Sequence, residues 1–323
     1  MRLAVLGAGA VGCAVVELAT LYGHTVTGLA DSQSAAVDPD GLDIEEVLGR
    51  KETSGVVGNE EPEAVLDGAY DVLVEATPTT LGDAQPAFDH VRTALERDCH
   101  AVLANKGPVA QRYGELRECE RESKGSVRFE ATVGGAIPVL STIEDVGPSH
   151  ITAIRGVLNG TANFILSRMA SEGLAYEHVL AEAQDLGVAE TDPAFDVEGT
   201  DAALKCVILA NVLSERQEVT LEDVTVSGIE QLPVSALELA RENGQTIRLL
   251  GEVDEAGVRV GPRLVPQHST LAVGGTRNVV QFETAHAGSL HNAGRGAGGR
   301  ETATAVMADI RRLSHDRESR PSS

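Results

Sequence analysis

A glycine-rich turn near the amino terminus constrains the fold of this chain more than any other feature. The pattern Gly-x-Gly-x-x-Gly spans residues 7–12, directly after the predicted strand Arg2–Leu6 and at the start of a helical pattern. In that context the glycines permit a tight turn, and the amino terminus of the helix offers unpaired N–H groups to a pyrophosphate. We therefore predict a dinucleotide site whose cofactor contacts are Gly7, Gly9, Ala10, Val11 and Gly12.

The residue after the second predicted strand bears on which dinucleotide binds. This strand covers 25–30, and Asp31 follows it at close to the roughly 20-residue spacing at which a carboxylate accepts hydrogen bonds from the adenosine ribose. Asp31 slightly favours NAD over NADP, because a carboxylate repels a 2′-phosphate. Arg50 and Lys51, which we predict to lie on a later loop, can supply positive charge to that phosphate. The choice between NAD and NADP therefore stays open.

Short apolar runs alternate with helical patterns through the first third of the chain. This alternation is typical of an α/β fold with a Rossmann-type doubly wound parallel sheet. We predict that residues 1–135 form a dinucleotide-binding domain with helices that include 11–21 and 87–97. Its predicted strands are 2–6, 25–30, 71–75, 101–104 and 127–130.

From residue 136 the pattern changes to helices mixed with antiparallel-looking strands. We predict an α+β domain over 136–299 for substrate binding and dimerisation, with a hairpin turn at Asp254–Gly257. A last helix over 300–313 is predicted to pack back on the first domain. The predicted strands of the second domain are 151–158, 245–253, 257–264, 279–284 and 288–291.

The charge balance excludes whole classes of partner. The chain carries 26 Lys and Arg against 49 Asp and Glu, a net charge of −23, which disfavours nucleic acid and anionic membrane surfaces. Only four of the basic residues are lysines, and this acidic, lysine-poor composition indicates adaptation to high salt, where screening reduces self-repulsion. We expect a small-molecule substrate, no nucleic-acid partner, no membrane association and a halophilic source.

The cysteines and the amino terminus bear on the compartment. Four cysteines, at 13, 99, 119 and 206, show neither a CxxC pair nor a disulfide framework. The amino terminus lacks the apolar core and cleavage site of a secretory signal, and no apolar run approaches the roughly 20 residues that span a bilayer. These features predict a cytoplasmic protein.

Two of the four lysines lie in segments where a charged side chain is unusual. Lys205 stands in an otherwise apolar helical run after Asp201, and the spacing of four puts both side chains on one helix face. Burial disfavours the charged ammonium whereas the carboxylate favours it, a combination suited to a general acid. An ordinary surface ion pair is the alternative. Lys106 follows the fourth predicted strand, at the mouth of the predicted nucleotide crevice.

Polar residues also gather in two loops. Thr77 and Pro78 follow the third predicted strand, where hydroxyl groups can bond a cofactor ribose or nicotinamide; a threonine-capped helix start is the alternative. The acidic, proline-containing segment 190–198 offers carboxylates of which one or two can bind a substrate ammonium. The remaining carboxylates of that segment are expected to be solvated or to cap helices.

Several segments of the chain resemble homoserine dehydrogenase. The most specific runs from Glu182 through Glu190, Asp196 and Asp201 to Lys205. The other matching segments are 104–108, 130–138, 156–166 and 296–302, so the resemblance covers nearly the whole chain. It implies the reversible NAD(P)-dependent reduction of L-aspartate 4-semialdehyde to L-homoserine, on the route to threonine and methionine. Family members are commonly dimers, so a homodimer is expected.

The resemblance also implies roles for individual residues. Lys205 is the implied proton donor to the carbonyl oxygen, Asp201 orients it, and Lys106 lies beside the nicotinamide and the reacting oxygen. The implied substrate contacts are Glu190, Asp196, Gly160 and Thr161. The implied cofactor contacts beyond the glycine turn are Thr77, Pro78, Lys106, Gly296, Gly298 and Thr302.

A monovalent-cation site for Na⁺ or K⁺ is implied as well, consistent with the preference of such ions for oxygen ligands. It would use the carboxylate of Glu130 and the backbone oxygens around Val133, Gly135 and Ile137. A helix-entry turn between the two domains is the alternative for this segment.

Three departures from the family pattern carry expectations of their own. Val188 stands where many members have tyrosine, so one substrate hydrogen bond is expected to be missing or replaced. Arg295 replaces a usual proline before the Gly-Ala-Gly turn, which is expected to alter cofactor contact there. The chain ends soon after the last predicted helix, so neither an appended regulatory domain nor threonine feedback through one is expected.

Other functions stay open beside this resemblance. An aldehyde-oxidising enzyme would need an activated cysteine, and Cys13 and Cys206 both lie in unfavourable helical settings. A dehydrogenase of another amino acid would share the sheet and differ in the substrate segment. A non-catalytic dinucleotide sensor would have no need of Lys106, Asp201 and Lys205.

Overall fold

The computed structural model describes residues 1–214 and 218–319, with backbone only for 315–319. The chain divides into two compact units. The first unit comprises Met1–Ala136 and the described part of the segment that begins at Ala297, and the second comprises Ile137–Gly296.

The first unit is built on a six-stranded sheet, which confirms the predicted doubly wound architecture. Its strands are β1 (Arg2–Leu6), β2 (Thr25–Ala30), β3 (Ala35–Val37), β4 (Val72–Glu75), β5 (His100–Leu103) and β6 (Val127–Arg128). Their order is β3-β2-β1-β4-β5-β6, and every adjacent pair is parallel except β2 with β3. The strand order reverses beside β1, so the crevice of the sheet lies where the glycine turn leaves that strand.

Two details of this unit differ from the sequence prediction. The antiparallel edge strand β3 was not predicted, because three residues are too few to show a period. The predicted strand 127–130 is shorter, since Glu130–Thr132 form a 3₁₀ turn. The helices that cover the sheet are α1 (Ala10–Leu21), α2 (Ile44–Ser54), α3 (Ala64–Asp67), α4 (Ala87–Glu96), α5 (Gly107–Gln111) and α6 (Tyr113–Glu122).

The second unit holds a largely antiparallel sheet in the order β12-β11-β7-β9-β10-β8. Its strands are β7 (Ile151–Val157), β8 (Thr225–Val226), β9 (Gln245–Asp254), β10 (Gly257–Pro266), β11 (Arg277–Thr284) and β12 (Gly288–Arg295). The predicted hairpin is confirmed, because Gly257 pairs with Asp254 across antiparallel β9 and β10. The helices of this unit are α7 (Leu140–Val146), α8 (Gly160–Glu172), α9 (Tyr176–Asp185), α10 (Ala194–Val197), α11 (Thr200–Leu213) and α12 (Val234–Glu242).

The last helix, α13 (Gly299–Ser319), belongs to the first unit and packs against α1. Its buried Ala303, Val306 and Ile310 recur at helical spacing and join the core cluster that contains Val15 of α1 and Val5 of β1. The carboxyl-terminal segment thereby completes the apolar layer behind the glycine turn. Within the described residues, no helix combines the length and hydropathy needed to cross a bilayer.

Candidate active site

Two of the three motif glycines are required by the protein itself. Gly7 has φ +102°, and a Cβ placed on it would lie 2.4 Å from the carbonyl oxygen of Ala76. A Cβ on Gly12 would lie 1.7 Å from the carbonyl oxygen of Gly7. Around Gly9, in contrast, no described atom lies within 4 Å of such a Cβ. The first and third glycines therefore close the turn, and the second leaves its outer side open to a ligand.

The start of α1 is open in the same way. The N-cap of α1 is Gly9, which has no side chain that could accept a hydrogen bond from the N–H groups of the first turn. The start of α13 lies against this turn, because a Cβ on Gly299 would be 2.6 Å from the carbonyl oxygen of Ala10. Such a helix start favours a bound phosphate.

The carboxyl-terminal residues that are predicted to contact the cofactor divide between the two units. Gly298, with φ +126°, and Thr302, whose N–H donates to the Gly298 oxygen at 3.0 Å, lie at the start of α13 in the first unit. Gly296 ends the second unit, where a Cβ would lie 1.9 Å from the side-chain nitrogen of Asn278. This glycine is needed for that close approach.

Asp31 is held by a lysine that the sequence did not place beside it. Its Oδ2 lies 2.6 Å from Nζ of Lys51, and its Oδ1 accepts the backbone N–H groups of Gln33 and Ser34 at 2.8 and 2.9 Å. Burial alone would raise the pKa of Asp31, but these hydrogen bonds hold it below its usual value. Lys51 lies on α2 and not on a loop, so the prediction for its position was wrong.

A buried network shapes the loop after β4. Glu75 is fully buried and accepts both the N–H and the hydroxyl of Thr77, while its other oxygen pairs with Nδ1 of His90 at 2.7 Å. The amide of Asn105 donates to the Thr77 hydroxyl at 3.1 Å and to the carbonyl of Pro78 at 3.0 Å. The structure therefore brings Thr77 and Pro78 together with the loop after β5.

Lys106 lies on that second loop. It is the N-cap of α5, it is half-buried, and its N–H donates to the Thr79 hydroxyl at 3.3 Å. The preceding Asn105 fixes the turn, because its Oδ1 accepts the N–H of Gly107 at 2.8 Å. The carboxyl ends of two adjacent parallel strands thus present Thr77 and Lys106 at one edge of the sheet.

The second unit buries the other unusual lysine. Lys205 is only 6% exposed on α11, where every residue from Asp201 to Asn211 is buried. Its Nζ lies 2.6 Å from Oδ2 of Asp201 and donates to the carbonyl of Leu158 at 2.7 Å. A buried ammonium survives only where such partners offset its lost hydration.

Asn159 joins this pair to a second carboxylate. Its Nδ2 donates to Oδ2 of Asp201 at 2.9 Å and to Oδ1 of Asp196 at 2.6 Å. Its Oδ1 accepts the N–H of Ala162 at 2.8 Å and so caps α8. One amide therefore fixes both carboxylates relative to the start of α8, a role that sequence reasoning missed.

The remaining residues that are predicted to bind substrate lie on the same unit. Gly160 and Thr161 form the first turn of α8, and the Thr161 hydroxyl donates to the backbone carbonyl of Val188 at 3.1 Å. This contact uses only the backbone of position 188, so the expectation that a substrate hydrogen bond is missing or replaced there stays a prediction. Glu190 is exposed, and its backbone carbonyl, not its carboxylate, accepts the side chain of Gln184.

The carboxylate of the predicted cation site lies beside a guanidinium group. Glu130 is 4% exposed, and its carboxylate lies 3.7 Å from Nη1 of Arg312, a guanidinium also paired with Asp309 at 2.8 Å. Burial raises the pKa of Asp309 to about 6. Within the described residues, no group of three or more His, Cys, Asp or Glu side chains could hold a metal ion. Val133 and Gly135 lie in the first unit and Ile137 begins the second.

Comparison with known proteins decides the family. The family model "Homoserine dehydrogenase" matches residues 138–310, more than half of the chain. The homoserine dehydrogenase of Methanocaldococcus jannaschii is 39% identical over 330 residues, which cover 96% of this chain and 97% of that protein. The chain belongs to the homoserine dehydrogenase family.

Two further similarities concern the cofactor of related homoserine dehydrogenases. An "NAD(+)-dependent homoserine dehydrogenase" of Pseudomonas canavaninivorans is 38% identical over 256 residues, covering 77% of this chain and 72% of that protein. The solved structure of a hyperthermophilic archaeal homoserine dehydrogenase in complex with NADPH is 26% identical, covers 98% of each chain and has a TM-score of 0.84. A model for Glutamate/Leucine/Phenylalanine/Valine dehydrogenase matches only residues 1–79, which contain the glycine turn.

Membership in the homoserine dehydrogenase family confirms the predicted activity. The chain is an NAD(P)-dependent oxidoreductase that acts on a CH–OH group and interconverts L-homoserine and L-aspartate 4-semialdehyde in threonine and methionine biosynthesis. A sensor and a dehydrogenase of another amino acid are therefore not needed to explain the site.

The cysteines do not suit covalent catalysis by a homoserine dehydrogenase or by an aldehyde-oxidising enzyme. None of the four takes part in a disulfide within the described part of the chain, and burial raises the pKa of the fully buried Cys206 thiol to about 12. Burial also raises the pKa of Cys13 and of Cys119. A neutral thiol is a poor nucleophile.

We accordingly expect Cys13→Ala and Cys206→Ala to keep most of the turnover, because neither thiol is ionised near neutral pH. Steady-state homoserine oxidation would measure this, with thermal unfolding to register the smaller side chain at position 206. A loss of turnover in either variant that matches the loss on removing Lys205, with the unfolding temperature retained, would favour a thiol mechanism.

Proposed function

We propose that Lys205 donates the proton to the carbonyl oxygen when L-aspartate 4-semialdehyde is reduced. One observation carries this proposal. A lysine ammonium has three N–H donors, and those recorded for Lys205 go to Asp201 and Leu158. The third hydrogen is available to a substrate oxygen, and a fixed charge in a dry site stabilises a developing alkoxide strongly.

In this proposal Asp201 and Asn159 position the ammonium without touching the reacting atoms. Asp201 accepts a hydrogen bond from Lys205 at 2.6 Å, and Asn159 donates to the same carboxylate oxygen at 2.9 Å. Asp196 shares that amide and supports the start of α8. Positioning of this kind reduces the reorganisation that the transition state requires.

We further propose that the first unit orients the cofactor. NAD(P)H supplies the hydride when bound. Gly7, Gly9 and Gly12 provide the phosphate-binding turn. Thr77, Pro78 and Lys106 are proposed to contact the cofactor at the carboxyl ends of β4 and β5, where Thr77 and Pro78 offer oxygen acceptors. Gly296, Gly298 and Thr302 are proposed as further cofactor contacts. The ordered network around Glu75 supports this role because it fixes the Thr77 hydroxyl.

The second unit is proposed to bind the amino-acid part of the substrate and to form the dimer. Glu190 is exposed and offers its carboxylate to the substrate ammonium, and Gly160 and Thr161 offer the start of α8 to the substrate carboxylate. Among the described strands, β12 has no outer neighbour in its sheet, and such an edge can pair across a two-fold axis. Light scattering should then give about twice the monomer mass.

We propose a cytoplasmic location and a salt-tolerant surface for this enzyme. The free thiols at all four cysteines suit a reducing compartment, and the net charge of −23 suits concentrated salt. A monovalent cation bound by Glu130 and the backbone oxygens around Val133, Gly135 and Ile137 stays part of the proposal, with Arg312 lying 3.7 Å from the Glu130 carboxylate.

A homoserine oxidation assay with NAD and NADP in parallel, at low and at high potassium chloride, tests this set of proposals. We expect absorbance of the reduced cofactor to appear with homoserine and to increase at high salt. The absence of turnover with both cofactors under both conditions would refute the proposed function.

Lys51 gives a separate prediction about cofactor preference. Replacing it with alanine should lower kcat/KM for NADP about tenfold relative to NAD, because an ion-assisted hydrogen bond is worth about 1.5–3 kcal/mol and Asp31 would repel the 2′-phosphate unopposed. Arg50→Ala is the matched control, since Arg50 lies on the same helix and pairs with exposed Glu46 at 2.7 Å. An unchanged ratio in Lys51→Ala would show that Lys51 only neutralises Asp31.

A further inference from the structure

A cavity in the second unit lies outside all the residues assigned to catalysis. Its volume is about 230 Å³, and its walls come from α8, α12, β9 and the loops around Gln267 and Ala272. The polar side chains that matter for its chemistry are Ser167, Arg241, Gln245, Arg248 and Gln267. This lining is rich in hydrogen-bond donors.

Arg248 is the most unusual of these residues. It is only 6% exposed, yet no carboxylate among the described residues lies within ion-pair distance of it. A guanidinium has five N–H donors, and those recorded go from Nε to Val273 at 2.8 Å and from Nη1 to Thr246 at 2.8 Å and Ile247 at 2.9 Å. Both hydrogens on Nη2 therefore remain for another acceptor.

The positive charge of the buried Arg248 side chain requires a compensating negative partner. Burial lowers its pKa, but an arginine stays protonated in proteins because its usual pKa is so high. Buried charges are normally paired, and this chain has 49 carboxylate side chains to offer against 26 basic ones. An arginine buried without one of them points to a partner that the chain itself does not supply.

Two neighbours extend the donor set. The hydroxyl of Ser167 is buried and has no hydrogen-bond partner among the described residues. Arg241, near the end of α12, is exposed at the cavity wall and likewise has no ion pair within the part of the chain that the structure describes. Two guanidinium groups and an unpartnered hydroxyl thus border one small space.

We propose that this cavity is a binding site for a small oxyanion with net negative charge. Arginine pairs with the planar or tetrahedral oxygens of carboxylate and phosphate, often through two hydrogen bonds. None of the described residues that line the cavity is acidic, so this lining offers no carboxylate to an ammonium group. This selects a phosphate or a simple carboxylate over a zwitterionic amino acid.

The position of the cavity links it to the proposed substrate residues. Helix α8 carries Thr161 in its first turn and the cavity residues Ser167 and Ser171 farther along. At 1.5 Å per residue, Thr161 and Ser171 lie about 15 Å apart along the helix axis. The carbonyl of Val273 accepts from both Arg248 at 2.8 Å and Asn163 of α8 at 3.2 Å. A ligand bound in the cavity can therefore change the position of the start of α8.

The binding test uses the full chain without cofactor or substrate, so it does not depend on the proposed function. Calorimetry at constant ionic strength would titrate inorganic phosphate, malonate and L-alanine. We expect phosphate or malonate to bind and to raise the unfolding temperature, while L-alanine does not bind; the two active probes distinguish the two oxyanion types. Arg241→Gln and Ser167→Ala should each weaken binding about tenfold, which corresponds to about 1.4 kcal/mol.

Arg92→Gln is the matched control, because Arg92 is an exposed arginine on α4 in the other unit. Equal binding in Arg241→Gln, Ser167→Ala and Arg92→Gln would show a general ion effect and overturn the proposal. So would failure of both oxyanions to bind, or L-alanine binding as tightly as they do.

A second measurement tests the link to α8, and this part rests on the proposed role of Thr161. Phosphate or malonate should change KM for homoserine more than kcat, and homoserine should change the affinity of the anion by the same factor. Binding without any change in KM would refute the link while leaving the anion site standing.

Discussion

Lys205→Ala is expected to lower kcat for homoserine oxidation by about 10²- to 10⁴-fold, the range that general acid–base catalysis contributes, while the KM for NAD(P) changes little. The reason is that its ammonium is buried, fixed by Asp201 and Leu158, and has one hydrogen left for the substrate oxygen. Steady-state kinetics in both directions measure the loss. A variant with wild-type turnover would remove Lys205 from the mechanism.

The variant also disturbs the fold, so a second pair of variants separates chemistry from stability. Breaking a buried ion pair leaves Asp201 uncompensated and costs about 3–5 kcal/mol. Lys205→Met combined with Asp201→Asn removes both charges and keeps the volume, so we expect stability to recover and turnover to stay low. Recovery of turnover together with stability would show that Lys205 has only a structural role.

Lys124→Ala is the matched lysine control. Lys124 is exposed and pairs with Asp98 at 2.8 Å on the surface of the first unit. Exposed pairs of this kind are worth about 0–1 kcal/mol, so both kcat and the unfolding temperature should stay near the wild-type values.

Local patterns in the sequence predicted those parts of the fold and site that depend on neighbours along the chain. The segments 2–6 and 25–30 became β1 and β2 with the predicted bounds, because each is a short segment with little charge whose residues after the first are all buried. The spacing of four between Asp201 and Lys205 predicted a shared helix face, and the two side chains meet at 2.6 Å.

Contacts between distant segments could not be predicted in this way. Asn159 reaches Asp196 and Asp201 across 37 and 42 residues, and Lys51 reaches Asp31 across 20. These pairs form because packing brings different elements together, and the periodicity of the sequence does not indicate which elements pack. The family resemblance named the substrate residues but not Asn159, although an asparagine just before a helical run is a common N-cap.

The buried network around Glu75 could have been predicted from the sequence. It ends the apolar strand β4, and a carboxylate in such a run must find several donors when the strand is buried. The structure supplies them from Thr77 and His90. A lone acidic residue at the carboxyl end of an apolar strand therefore indicates a network that positions the following loop.

Gly12→Ala and Gly9→Ala are expected to fail in different ways, although both replace a glycine of the same turn. In Gly12→Ala the new methyl group would lie 1.7 Å from the carbonyl oxygen of Gly7, so the turn or α1 must move. Overpacking of a tight core costs about 1–3 kcal/mol or more. We expect a lower unfolding temperature and weak binding of NAD(P), both without substrate.

Gly9→Ala is the matched control, because it tests contact with the ligand without disturbing contacts within the protein. Gly9 has φ −87° and ψ −165°, which alanine adopts readily, and no described atom lies within 4 Å of the added carbon. The unfolding temperature should therefore stay unchanged, whereas the Kd for NAD(P) should increase about tenfold or more, since one charge-assisted hydrogen bond to a phosphate is worth about 1.5–3 kcal/mol. Normal cofactor affinity in Gly9→Ala would mean that the pyrophosphate does not approach this side of the turn, and a normal unfolding temperature in Gly12→Ala would mean that the turn relaxes at no cost.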